Sequence, residues 1–142
     1  MSTITGPGRT FFDNHIQHLQ TRDISIIQTD ADDDIIVYNN FDLNYLGEPA
    51  PNIIRGRVDF AKFFQTLFDW QGELTGYELH SFTETEDSIL FSATTSFANT
   101  GEWAAGNVFV MNDDFTKIKQ QFMYAHKLWL MHSISDYIAS QR

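Results

Sequence analysis

Phe60, Phe63, Phe64, Leu67 and Phe68 recur at i, i+3, i+4, i+7 and i+8 shortly after Gly56. That spacing puts one wide aromatic stripe on a helix of roughly four turns, and Gly72 stands where a terminating glycine belongs. The stripe is too apolar to leave in water, so a large surface must cover it, and a curved sheet is the expected cover. The chain carries 13 phenylalanines in 142 residues. Such a content points to a thick aromatic interior or a lined pocket.

The length suits one domain over residues 1–142, with 1–9 as a flexible lead, and a core large enough to need no staples. Cysteine is absent, which excludes disulfides, thiolate catalysis and Cys-based metal centres. Nineteen acidic residues stand against nine basic ones, a net charge of −10. That charge repels phosphate backbones and anionic membrane surfaces, so neither nucleic acid nor membrane is expected as a partner. No apolar run reaches the length of a signal peptide or a membrane span, and a soluble, cytoplasmic protein is expected.

Along the chain, Thr10 and Asp13 have the spacing of a capping box, predicting a first helix from there with Phe11, Phe12, His15, Ile16 and Leu19 on one face. Asp23 is positioned to cap a short second helix through Ile24, Ile26 and Ile27. An acidic run, Asp30 to Asp34, reads as a helix end grading into a solvated turn. The strand-like Ile35-Ile36-Val37-Tyr38 follows it. Asp30, Asp32 and Asp34 mimic the start of a calcium loop, but Ile35 stands where that loop needs glycine and Phe41 where it needs glutamate. Calcium is therefore rejected.

Asn39 to Asn52 reads as a long hairpin or loop. After the aromatic helix, strands are expected at 76–84, 88–97, 102–111 and 117–127, separated by turn residues short enough to force antiparallel neighbours. A closing helix is expected within 128–142. Helices first and a meander last give an α+β domain.

Three segments in fixed order resemble the nuclear transport factor 2-like superfamily, with its ketosteroid-isomerase-like and SnoaL-like polyketide-cyclase branches. They are the first helix running into Arg22-Asp23-Ile24 and Asp33-Asp34-Ile35-Ile36-Val37, Gly56-Arg57 leading into Phe63-Phe64, and the strand, turn and strand from Asn107 to Ala125. The resemblance covers roughly residues 10 to 127. It implies a highly curved antiparallel sheet wrapped by about three helices to form a cone with an internal pocket. It also implies a homodimer through the outer face of the sheet.

In the isomerase branch, a carboxylate base works with a tyrosine and a protonated aspartate that stabilise an oxyanion. The resemblance places His15 at the tyrosine position, Asn39 at the base and Asn107 at the oxyanion acid. An amide cannot take a proton from carbon at neutral pH, so that chemistry is not expected, although both amides can hydrogen-bond a carbonyl. A one-residue slip would bring in Tyr38 instead of Asn39.

His15 lies on the apolar stripe of helix one, where it is either a satisfied core histidine or a pocket acid, base or hydrogen-bond donor. His18, one turn on, could share a metal with it, but no third ligand is placed by the sequence. No metal or cofactor is expected.

Strand parity puts Ile89, Phe91, Ala93, Thr95 and Phe97 on one face. The resemblance makes this the pocket face, with Gln121, Met123 and Ala125 on the last strand, leaving Phe122, Tyr124 and His126 for a subunit contact. The expected ligand-binding set is therefore His15, Tyr38, Asn39, Phe64, Phe91, Thr95, Asn107, Gln121 and Met123. The leading functional expectation is a homodimer that binds a small, mostly apolar molecule. The alternatives are a cyclase, isomerase or dehydratase with His15 as acid or base, and a protein-interaction module.

Overall fold

The computed structural model describes residues 6–40, 52–127 and 138–141. Its elements are α1 (Pro7–Thr21), α2 (Ile24–Ile27), a 3₁₀ turn (Gln28–Asp30), β1 (Ala31–Asn39), β2 (Ile53–Arg55), α3 (Arg57–Gln71), β3 (Leu74–Glu84), β4 (Ser88–Phe97), β5 (Gly101–Met111) and β6 (Ile118–Lys127). The strands form one sheet in the order β2-β1-β6-β5-β4-β3. The four strands of the meander are antiparallel, as their short turns require, but β1 joins β6 in parallel, so the sheet is mixed. This is an α+β fold whose curved sheet stays open and is covered by the helices.

The aromatic stripe sits under that sheet. Phe60, Phe63, Phe64, Leu67 and Phe68 are all buried, and Phe64 packs against Phe60, Phe63 and Phe68 with ring centroids 4.7–5.9 Å apart. Gly56 and Gly72 bound the helix at φ 86° and 75°, backbone positions that any side chain would strain. Burial of phenyl rings is the largest single contribution to such a core, about 2–3 kcal/mol for each fully covered side chain.

Three local differences from the sequence reading have physical causes. First, α1 begins at Pro7, not after Thr10: Gly6 is the N-cap, Pro7 takes a first-turn position, and the Glu84 carboxylate of β3 accepts from the Arg9 amide at 2.8 Å in place of a capping box. Asp13 instead pairs with Arg9 at 3.0 Å, one turn back on the same helix. Secondly, β1 starts at Ala31 and runs through the acids, so Asp32, Asp33 and Asp34 are strand residues.

From Ala31 to Ile36 the ladder advances only from Ile118 to Gln120 on β6, which marks a bulge that absorbs the acidic run. Arg57 steadies the bulge through hydrogen bonds from Nε and Nη2 to the Ala31 carbonyl at 3.2 and 2.6 Å, and through an ion pair with Asp33 at 3.0 Å. Thirdly, Asp30 is buried and not solvated. Asp23 does cap α2, accepting from the Ser25 amide at 2.9 Å. Residues 138–140 are helical, while most of the expected closing helix and the 41–51 connection lie outside the described residues.

Candidate functional site

A cavity of about 150 Å³ opens between α1, α3 and the concave face of β3 to β6. Its wall is mainly aromatic and aliphatic, with Ile16 and Leu19 from α1, Phe64 and Phe68 from α3, and Phe91 and Phe97 from β4. The wall exists because alternate residues of each strand point inward. Phe91, Ala93, Thr95 and Phe97 line the cavity from β4, as do Gln121, Met123 and Ala125 from β6. Rings pack around the Phe91 part of this wall, with Phe91 4.8 Å from Phe12 and 5.2 Å from Phe109.

Two polar groups of this wall stand out. Gln121 is 3% exposed, and its Nε2 donates to Asn107 Oδ1 at 3.1 Å, while its own Oε1 is buried with no hydrogen-bond partner among the described residues. The Tyr77 hydroxyl, from β3, is likewise buried and without a partner. Burial pushes the Tyr77 pKa up, with Asp13 adding to the rise and Arg9 opposing it. A buried polar atom without a partner costs roughly 1–3 kcal/mol, so a group able to pair with either atom would be favoured there.

Arg22 is the single charged residue of the described lining, and its guanidinium is engaged elsewhere. Nη1 donates to the Gly72 carbonyl at 2.6 Å and Nη2 to the Phe68 carbonyl at 2.7 Å, with the group stacked 4.9 Å above the Phe68 ring.

The expected site residues divide into two groups. Phe64, Phe91, Thr95, Asn107, Gln121 and Met123 line the cavity; His15, Tyr38 and Asn39 do not. Asn39 is buried and exchanges hydrogen bonds with Asn52, its Nδ2 donating to the Asn52 carbonyl at 3.3 Å and its own carbonyl accepting from Asn52 Nδ2 at 3.0 Å. Tyr38 lies across the sheet and stacks on Phe122, 4.8 Å between centroids.

His15 is buried between Phe11 and Phe109, and its Nδ1 donates to Asp30 Oδ2 at 2.9 Å. His18 Nδ1 donates to the same oxygen at 2.7 Å. The two imidazoles thus share a carboxylate. Burial alone would raise the Asp30 pKa, but the hydrogen bonds and charges of His15 and then His18 outweigh it and hold the carboxyl below its usual range. Among the described residues no three His, Asp or Glu side chains are arranged to hold a metal.

Tyr77 and Asp30 were missed from sequence. Tyr77 falls on the inward parity of β3, opposite Thr95, which alone could have suggested it. For Asp30 the usable signal was a histidine on an apolar face close to an acidic run.

No family model matches the sequence, and no curated protein does either. Solved structures do. A SnoaL-like protein of unknown function from Burkholderia thailandensis superposes with a TM-score of 0.68 at 17% identity, over 88% of this chain and 99% of that one. A protein described as a SnoaL-like polyketide cyclase from Shewanella denitrificans gives 0.70 at 11% identity, over 96% and 99%. The chain has the nuclear transport factor 2-like fold.

A third neighbour with this fold is an epoxide hydrolase/cyclase-like enzyme of pyran-ring formation in the polyether salinomycin, with a TM-score of 0.64 at 12% identity over 83% and 89%. At these identities the nuclear transport factor 2-like likeness concerns the fold, and activity has to be argued from the cavity itself. No helix of the described residues is long and apolar enough to cross a membrane.

Proposed function

We propose that this protein is a cytoplasmic binder of a small, mostly apolar molecule, held in the cone between α1, α3 and the sheet. The observation that carries the reading is the cavity: a largely hydrocarbon wall interrupted by two buried polar atoms that lack partners among the described residues. The absence of cysteine fits a reducing compartment.

The enzyme alternative, with His15 as acid or base in a cyclase, isomerase or dehydratase, has less support. His15 is committed to Asp30 and stands behind the cavity wall, and Asn39 is engaged with Asn52. The outer face of the sheet supports a homodimer, because Tyr38 and Phe122 stack there and Tyr124 is 54% exposed.

Binding is tested with toluene as a ring-sized apolar probe, read by calorimetry and by the shift in Tm. Toluene is expected to bind the wild-type protein and to raise its Tm. Ala93→Phe and Ala105→Leu, which fill the cavity from β4 and β5, are expected to abolish both effects. A folded wild-type protein that binds neither toluene nor a hydroxyl-bearing ring of the same size would overturn the reading.

A further inference from the structure

We propose that the Gln121–Asn107 carboxamide pair is a recognition site for the hydroxyl group of a neutral, single-ring ligand. The inference rests on the binding function proposed above and names the chemistry that the cavity selects.

Size comes first. A dry hydrocarbon cavity of about 150 Å³ takes one benzene-sized ring, which sets the scale for the cavity found here. A ring with one or two substituent atoms fits it.

Polarity comes next. Asn107 and Gln121 project from neighbouring strands into the same cavity, and their mutual hydrogen bond uses one end of each amide. The remaining ends are an acceptor, Gln121 Oε1, which is buried without a partner, and a donor, Asn107 Nδ2. A concerted flip of both amides would keep their mutual bond and exchange the donor with the acceptor. A hydroxyl both donates and accepts, so it satisfies the pair in either arrangement. A ketone or an ether oxygen only accepts, so in either arrangement it pairs with the donor end alone and leaves the acceptor end of the pair unsatisfied.

Charge completes the argument. A carboxylate or phosphate brings acceptors alone and would need a cation. Arg22, the one charged group in the described lining, already serves the Gly72 and Phe68 carbonyls. The chain's net charge of −10 further disfavours an anion. The ligand class is therefore an uncharged cyclic or benzylic alcohol.

Three probes of nearly equal shape separate the possibilities: toluene, benzyl alcohol and benzoate, each titrated into the full-length protein by calorimetry. Wild-type protein is expected to bind benzyl alcohol about tenfold more tightly than toluene and to bind benzoate more weakly than either. In Gln121→Leu the preference for the alcohol is expected to vanish while toluene binding persists, which also shows that the variant is folded. Equal affinity of the wild-type protein for toluene and benzyl alcohol, or tighter binding of benzoate, would overturn hydroxyl recognition while leaving an apolar binding site standing. Failure of all three probes to bind would instead remove the binding function itself.

Discussion

Asp30 shows how much one buried side chain can organise. Two histidines one turn apart on α1 donate to a single carboxylate oxygen at the start of the sheet, tying the first helix to the first strand. Asp30→Asn leaves one neutral acceptor where a charged one served two donors, and is expected to cost about 2 kcal/mol in denaturant unfolding. The pH dependence has a definite sign. Because the folded-state pKa is depressed, the stabilisation is full above the unfolded-state value of about 4 and is lost as pH falls through the lower folded value. The stability gap between wild type and Asp30→Asn should therefore close as pH falls through the folded-state value, and a gap that widens there would contradict the assignment.

Tyr77 makes the opposite prediction. Its hydroxyl has no partner among the described residues, so Tyr77→Phe is expected to leave the ligand-free protein unchanged or up to about 1 kcal/mol more stable. A clear loss of stability would mean that the hydroxyl is already satisfied.

At the scale of elements, the join between α1 and α3 depends on Arg22, whose backbone turns the chain out of α1 at φ 56° while its guanidinium holds two carbonyls at the end of α3. Lysine carries the same charge but cannot span both carbonyls with a planar fork. Arg22→Lys is expected to lower stability by about 1–2 kcal/mol, measured by urea unfolding, and a neutral result would show that charge alone suffices.

What was legible in the sequence follows the range of the interactions. The aromatic helix between Gly56 and Gly72 and the four strands of the meander are written in local periodicity and turn residues, and their observed limits lie close to the expected ones. Strand parity grouped Phe91 with Thr95 and Gln121 with Met123, and the family resemblance, not parity, put both pairs on the concave face.

The parallel pairing of β1 with β6 was not legible, because nothing near Ala31 or Ile118 encodes a partner 87 residues away in the chain. Nor was the entry of Asp32 to Asp34 into a strand, since the bulge that hosts them and the Arg57 contact that steadies it are tertiary. Tyr38 and Asn39 turn on the same register. Val37 faces Gln121 and Tyr38 faces Phe122 along the ladder, which sends Tyr38 to the outer side.

For the whole molecule, the two faces of the sheet divide the work. The concave face closes over the cavity, while the convex face changes character across its width. Near β3 and β4 it is polar, with Ser81 hydrogen-bonded to Ser92 at 2.6 Å and His80 paired with Thr94. Near β1 and β6 it is aromatic, with the Tyr38–Phe122 stack beside the exposed Tyr124 ring. A dimer through this face would therefore centre on β6, where aromatic rings supply contact area at little entropic cost.

Tyr124→Lys places a strongly hydrated charge at that centre, and a two-fold contact would bring both copies of it close together. Sedimentation equilibrium is expected to show a dimer for the wild type and a dissociation constant at least about tenfold weaker for Tyr124→Lys. Leu90→Lys, on β4 away from the aromatic strands, should leave the dimer intact. If Leu90→Lys dissociates the protein and Tyr124→Lys does not, the contact lies over β4; a wild type that sediments as a monomer at all concentrations leaves the aromatic strip without a second copy to cover it.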